Sequence, residues 1–148
     1  MNLARCAQWL AGLWAGVLLC IALLAAPAAF ATLAPADAGR LAGRMFAQEA
    51  YLSLLLVVLL FALERKQALG DAEAGNGSVF STHIILLMGT LFCTVAGYFA
   101  VQPMMAAARV GQGPWSFAAL HGASAGFFAL KALLVCSLAW RLSARSAR

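Results

Sequence analysis

Three ionisable side chains, Glu49, His121 and Lys131, lie inside long apolar stretches of the sequence. An ionisable group at the centre of a bilayer costs about 3 kcal/mol or more, so such residues mark candidate sites for a ligand or an ion. Each also has a structural explanation. Glu49 near a helix start would favour the positive end of the helix dipole, Lys131 can reach the interface or pair with an acid, and His121 can be held by a hydrogen bond.

Further polar residues accompany these three on the predicted helix faces. Gln102 follows Tyr98 by one helical turn, and Ser124 lies on the same side of its helix as His121 and Lys131. The candidate ligand-binding residues are Glu49, Tyr98, Gln102, His121, Ser124 and Lys131. In this interpretation the site lies in the outer half of the protein and binds, or helps move, a small solute or metal ion.

A metal site is a weaker alternative near the same end of the helices. Met104 and Met105 fall close to His121 in the predicted topology, and thioether and imidazole ligands suit Cu(I). Haem held between two histidines is disfavoured, because His83 and His121 lie on the order of 15 Å apart along the membrane normal at about 1.5 Å per residue. Copper and haem stay alternatives without an assured site.

Enzymatic function is the weaker class for this chain. The sequence carries no Walker, H-E-x-x-H or dinucleotide-binding fingerprint. The few polar residues do not assemble into an acid, a base and a nucleophile. The four cysteines show no C-x-x-C spacing, so neither a zinc site nor a disulfide framework is predicted.

The helices that must position these residues are membrane spans. Of the 148 residues, 64% are hydrophobic and only 10% are charged, which is typical of the membrane class. Four apolar runs cover residues 9–30, 46–63, 83–101 and 115–140. About 20 helical residues cross a hydrocarbon core of about 30 Å, and solid apolar runs lack the alternation of a membrane β-barrel. We therefore predict a single four-span domain over residues 1–148: an all-α, integral membrane four-helix bundle with antiparallel up-down helices.

The first run has an alternative interpretation as a secretory signal. Arg5 precedes it, and Ala29-Phe30-Ala31 is similar to a small-x-small cleavage site. Signal cores are typically about 7 to 15 residues long. The first run is longer than that, so we expect an uncleaved span.

The basic residues predict the orientation of the spans. One face has Arg5, Arg65, Lys66, Arg141, Arg145 and Arg148, and the other has Arg40, Arg44 and Arg109. Because the richer face is cytoplasmic by the positive-inside rule, we expect both termini in the cytoplasm. The polar loop from Arg65 to Ser78, with its Gly75-Asn76-Gly77 triplet, lies on the same side. The net charge of +5 is explained by topology and does not predict nucleic-acid binding.

Small residues predict which helix faces lie inside the bundle, because they let helices approach closely in lipid. The predicted stripes are Gly12, Ala15, Gly16, Ala22 and Ala26; Gly89, Cys93, Ala96, Gly97 and Ala100; and Ala118, Gly122, Ala125, Gly126 and Ala129. We expect Leu120, Phe127, Leu130 and Leu134 to face lipid, and the uniformly apolar second span to be peripheral. The same stripes could instead contact a partner helix or a second copy of the chain.

The chain resembles the domain-of-unknown-function family that includes the animal transmembrane protein 205. The resemblance lies in Pro27–Phe30, in Ala38–Arg40 before Met45, in Gly97–Met104 and in Phe117–Ser124. It implies a four-span membrane protein without an established biochemical activity, and for bacterial members an inner-membrane location. The family is also distantly similar to copper-resistance membrane proteins and to haem-binding four-helix oxidases of porphyrin synthesis, which rely on membrane histidines. Here only His121 falls within a family-like motif.

These observations leave three functional hypotheses. The first is a non-enzymatic inner-membrane protein that binds or moves a small solute or metal ion. The second is a structural or assembly subunit of a membrane complex. The third is a haem- or copper-binding redox protein.

Overall fold

The computed structural model describes residues 3–73 and 81–146, and every regular element in that part of the chain is helical. The α-helices are α1 Leu3–Cys20, α2 Ala26–Thr32, α3 Pro35–Glu73, α4 Thr82–Thr94, α5 Val101–Arg109 and α6 Phe117–Ser146. Two π-helical segments, Ile21–Ala25 and Val95–Ala100, join α1 to α2 and α4 to α5. The fold class is therefore all-α, as predicted.

Four continuous helical stretches are long and apolar enough to cross a membrane. They are Leu3–Thr32, Pro35–Gly70, Thr82–Arg109 and Phe117–Ala144. The prediction of four spans is confirmed, and the chain is a multi-pass membrane protein in contact with the lipid bilayer. We refer to these stretches as the first to fourth spans.

The second span begins earlier and ends later than the apolar run predicted. Helix α3 starts at Pro35, a residue favoured in the first helical turn, and the Ala34 carbonyl accepts bonds from the Asp37 and Ala38 amides. It continues to Glu73, so the first part of the predicted loop is helical. The remainder of that loop, including the glycine triplet, lies outside the described residues. Hydropathy marks the part of a helix that suits hydrocarbon, which is shorter than the helix itself.

Two prolines explain the two π-helical segments. A proline inside a helix lacks an amide donor, and its ring clashes with the carbonyl four residues earlier. The carbonyls concerned are those of Leu23, for Pro27, and of Phe99, for Pro103, and both lie inside a π-helical segment. The wider π turn therefore accommodates each proline without ending the span.

The helices after the connections begin at side-chain caps. Ser81 Oγ accepts a hydrogen bond from the Ile84 amide at 3.4 Å, and Ser116 Oγ accepts one from the Ala119 amide at 3.2 Å. These serines satisfy amides that a helix start leaves without a partner. The caps fix the residues at which α4 and α6 begin.

The core lies between the long helices. Helix α1 packs against α3 and α6, and α4 packs against the same two helices. The largest buried cluster includes Trp14, Leu18, Leu56, Val57, Leu60, Leu87, Val135 and Leu138. A smaller cluster of Val101, Met105 and Leu120 joins α5 to the start of α6.

The expectation that the second span is peripheral is wrong. In its most apolar window 33% of residues are buried, against 22% in the first and fourth spans. Helix α3 also contributes the buried polar residues Glu49, Ser53 and Glu64. The reason is that a leucine-rich surface suits the core and the lipid equally, since lipid tails are as apolar as leucine.

The small-residue stripe of the third span faces the interior from Gly89 to Gly97, as predicted, whereas its last member, Ala100, is exposed. A methyl group added at Gly97 would overlap the Phe127 side chain, and one added at Gly89 would lie 3.1 Å from Leu134 Cδ1. Phe127 and Leu134 therefore pack against this stripe, and the expectation that they face lipid is wrong. Leu120, also expected to face lipid, is buried, whereas Leu130 is exposed as expected.

The glycines in the stripes of the first and fourth spans point outward, so that part of the prediction is wrong. Gly12, Gly16, Gly122 and Gly126 are exposed, and a methyl group on any of them would meet open space. Large side chains, with Trp14 foremost, fill the contact between α1 and its neighbours instead. Small residues permit a close helix contact in lipid but do not require one.

Candidate functional site

Glu49 of α3 and Lys131 of α6 come together deep within the spans. Each lies about four turns, or about 21 Å, from the start of its helix at Pro35 or Phe117. The explanation of Glu49 as a first-turn carboxylate beside the helix dipole is therefore wrong. Lys131 lies near the middle of α6, and Glu49 lies well inside the first half of α3, so neither is at a helix end.

The two side chains form a buried ion pair. Lys131 Nζ lies 2.8 Å from Glu49 Oε1 and 2.6 Å from Oε2, so the ammonium group binds both carboxylate oxygens. Both residues are only 3% exposed. An ion pair held this far from water requires close geometry and additional hydrogen bonds to offset its desolvation.

Ser53 and Trp14 supply those additional hydrogen bonds. Ser53, one turn after Glu49 on α3, donates its hydroxyl to Glu49 Oε1. The indole Nε1 of Trp14 in α1 donates to Ser53 Oγ at 3.1 Å, and both donors are fully buried. The chain of bonds from Trp14 through Ser53 and Glu49 to Lys131 connects three spans, and we call it the polar chain.

An aromatic ring lies beside the ammonium end of the polar chain. Lys131 Nζ lies 5.0 Å from the centroid of the Phe128 ring, a distance at which the ring face attracts a cation. Phe46 of α3 packs edge-on against Phe128 at 5.1 Å. The ammonium group therefore interacts with one aromatic ring as well as with the carboxylate.

An open cleft of about 190 Å³ lies beside Glu49, between the first and second spans. It is lined by Val17, Ile21, Met45, Gln48, Glu49 and Leu52. Ile21 is the first residue of a π-helical segment, and such segments are frequent at functional sites. Glu49 is the one member of the polar chain that lines the cleft.

The remaining predicted site residues lie apart from the ion pair. His121 is exposed, and its ring stacks on Phe117 with 5.9 Å between centroids. It precedes Lys131 by about 15 Å along α6. Tyr98 packs edge-on against Phe99 at 5.1 Å, and Gln102 is half-buried near the start of α5. Of the six candidates, the structure brings Glu49 and Lys131 together.

Ser124 has a structural partner in the third span. Its hydroxyl donates to the Gly97 carbonyl at 2.9 Å, and Gly97 lies inside the π-helical segment Val95–Ala100. Gly122–Gly126 has the G-x-S-x-G spacing of a hydrolase nucleophile, but that motif requires a sharp turn between a strand and a helix. Here the serine is in the interior of α6 and bonds to the neighbouring backbone.

The two methionines proposed as weak metal ligands point to different environments. Met105 is buried against Val101 and Leu120, whereas Met104 is exposed. Within the parts of the chain that the structure describes, there is no group of three or more His, Cys, Asp or Glu side chains able to hold a metal ion. A copper site at His121 with Met104 and Met105 stays a prediction.

A second polar pair joins α3 to the start of α4. His83 Nδ1 lies 2.7 Å from Glu64 Oε2, and Gln67 Nε2 donates to Glu64 Oε1 at 3.4 Å. Glu64 is 1% exposed and lies about 22 Å along α3 from Glu49. Sequence reasoning missed this pair because Glu64 directly follows the apolar run of residues 46–63, where a charged residue is expected at the end of a span.

Trp14 and Ser53 were also missed by sequence reasoning. Indoles favour the membrane interface, so a tryptophan in the middle of the first span was a signal that its N–H has a buried partner. Ser53 stands four residues after Glu49, which places the two on one helix face. That spacing could have identified the pair.

Comparison with known families gives one result. A family model described as a domain of unknown function, DUF4149, matches residues 9–113. The match includes Trp14, Glu49 and Ser53, whereas Lys131 lies beyond it. Neither curated proteins nor solved structures gave a match. Because the family model covers well over half of the sequence, the chain belongs to the DUF4149 family of domains of unknown function.

Proposed function

We propose that this protein is a non-enzymatic inner-membrane protein that binds, and helps move, a small solute at the Glu49–Lys131 ion pair. The observation that supports the proposal is a buried ion pair in the middle of the spans with a cleft beside its acidic member. A buried ion pair adds little stability, since apolar side chains of similar size often serve as well. Charged residues retained within spans are therefore functional candidates.

The proposal includes the arrangement of the chain in the membrane. It is a single four-span domain of antiparallel up-down helices in the bacterial inner membrane, with both termini in the cytoplasm. The contacts of α1 and α4 with both α3 and α6 are consistent with such a bundle, and the distribution of arginine and lysine supports the orientation. The motif resemblance to the transmembrane protein 205 family supports the same arrangement.

We assign the other polar residues to the route of the solute. Tyr98, Gln102, His121 and Ser124 are exposed or half-buried. In the proposed orientation they lie between the ion pair and the outer face. Their polar groups would offer a solute successive hydrogen-bonding partners. The ion pair would be the site that selects which solute binds.

Native mass spectrometry of the gently purified protein tests this function. We expect the wild-type protein to retain a small molecule that the Glu49→Gln variant loses, because the amide cannot attract the charge that the carboxylate attracts. Ser137→Ala is the matched control, since Ser137 is exposed and donates to the Leu133 carbonyl of its own helix. Identical spectra for the wild type and Glu49→Gln would contradict the proposal.

A structural or assembly subunit is the second candidate. The observation that favours it is the outward-facing glycines of two spans, Gly12 and Gly16 in α1 and Gly122 and Gly126 in α6. Such faces allow close contact with a partner helix or a second copy of the chain. A stoichiometric partner or a homo-oligomer that dissociates in a Gly16→Leu variant, with no bound small molecule, would favour this role.

A further inference from the structure

The cleft is lined by the acidic member of the polar chain and not by its basic member. Glu49 lines it, together with the amide of Gln48 and the thioether of Met45. Lys131 reaches the carboxylate from α6 and does not line the cleft. A solute in the cleft therefore lies next to Glu49 and not next to Lys131.

We propose that this cleft binds a small protonated amine, and that its binding releases a proton from Lys131. This inference rests on the proposed function and names its solute class. The carboxylate attracts a cation, Gln48 offers an amide oxygen as a second acceptor, and Val17, Ile21 and Leu52 accommodate a short hydrocarbon group. The ligand class is a primary alkylammonium ion with a small apolar body.

The lining residues argue against a divalent metal ion in the same cleft. Calcium takes six to eight oxygen ligands, and magnesium keeps several waters in an octahedral shell. Glu49 and Gln48 together provide at most three side-chain oxygens, and the other lining residues are apolar or carry sulfur. An alkylammonium ion needs only a few acceptors, because its three N–H groups are its whole polar surface.

Charge balance requires the proton release. The ion pair is neutral before binding, and a second cation beside one carboxylate would leave an uncompensated positive charge in a medium of low dielectric constant. The exchange that keeps the site neutral converts R–NH₃⁺ and Glu⁻·Lys–NH₃⁺ into R–NH₃⁺·Glu⁻, Lys–NH₂ and H⁺. A lysine is suited to this step because its ammonium group can lose a proton, whereas an arginine remains charged.

The surroundings of both partners are consistent with the exchange. Ser53 holds Glu49 Oε1 through its own hydroxyl, which keeps the carboxylate in place while the ammonium of the solute takes Oε2. The ring beside the lysine head, Phe128, is apolar and can also contact a neutral amine. The titratable groups that act electrostatically on Lys131 are Glu49 of α3 and the buried Cys93 of α4.

Calorimetric titration of the full-length protein in lipid nanodiscs with ethylammonium chloride tests the inference. Repeating the titration in buffers with different ionisation enthalpies gives the number of protons released. We expect binding by the wild type with close to one proton released per cation, and an affinity that rises about tenfold per pH unit while the lysine is charged in the free protein. Sodium chloride and sodium acetate serve as probes for a bare cation and an anion.

The Lys131→Arg variant separates ion exchange from simple binding. It keeps a positive partner for Glu49 but cannot release a proton, so we expect at least a tenfold loss of ethylammonium affinity with cooperative thermal unfolding retained. Gln48→Leu is a second variant outside the ion pair, and we expect it to weaken binding while leaving one proton released per cation bound.

The outcomes distinguish this inference from the proposed function. Wild-type binding that is independent of pH, or unchanged affinity in a folded Lys131→Arg variant, would overturn the exchange. A wild-type protein that does not bind ethylammonium but retains another small molecule in a Glu49-dependent way would overturn the solute class. The proposed function would then still stand. Absence of any Glu49-dependent ligand would contradict both.

Discussion

Lys131 Nζ and the two carboxylate oxygens of Glu49 are joined at 2.6 and 2.8 Å by residues that stand 82 positions apart in the chain. The contact links α6 to α3, two helices that each pack against α1 and α4. Ser53 and Trp14 extend it to α1. The same interaction therefore connects three helices, and its acidic member, Glu49, lines the proposed binding cleft.

Single substitutions of the ion pair should destabilise the protein far more than the double substitution. Glu49→Leu or Lys131→Met alone leaves an uncompensated buried charge, so we expect each to lower the free energy of unfolding by about 3 to 5 kcal/mol. The double variant replaces both charges with apolar groups and should be near the wild type. Reversible unfolding in mixed detergent micelles measures these values, with Ser137→Ala as the control. Additive losses in the double variant would show that the two charges do not interact.

The Ser53 hydroxyl should be energetically coupled to the Trp14 indole. Ser53→Ala leaves a buried indole N–H without its acceptor and removes a donor from Glu49, which costs about 1 to 3 kcal/mol. Trp14→Phe removes the indole donor but keeps most of the apolar volume. In a double-mutant cycle the second substitution should cost less in the presence of the first. The measurement is the same unfolding titration, and strict additivity would contradict the hydrogen bond.

The sequence predicts the spans of this protein better than their packing. Span positions depend on hydropathy, which each residue carries by itself, and Glu49 and Lys131 stand out because charge is costly in lipid. Which faces touch depends on partners far away in the chain, and an apolar surface suits lipid and protein equally. That equality explains why Leu120 was expected outside. Gly12 was expected inside because small residues permit a close helix contact, although they do not require one. Trp14 was missed because indoles usually mark the interface.

Gly97 should be far less tolerant of a side chain than Gly122. In Gly97→Ala the added methyl overlaps Phe127, so the fourth span must shift, and overpacking of this kind costs about 1 to 3 kcal/mol. Gly122→Ala meets open space and should be neutral or slightly stabilising, because alanine favours a helix by about 1 kcal/mol over glycine. Thermal unfolding of the two variants in the same detergent checks the difference. Equal melting temperatures would contradict the close contact between the third and fourth spans.

The proposed orientation predicts which engineered cysteines an impermeant maleimide can reach in whole cells. In a variant with the four native cysteines replaced by alanine, Gln112→Cys in the turn between α5 and α6 should be labelled from outside. Glu73→Cys at the end of α3 should be labelled only after the inner membrane is permeabilised, because it lies beside the basic residues that the positive-inside rule places in the cytoplasm. Both native residues are exposed, so the two differ in sidedness and not in burial. The reverse labelling pattern would show that the protein has the opposite orientation in the membrane. The proposed route through Gln102 and His121 would then begin at the cytoplasmic face.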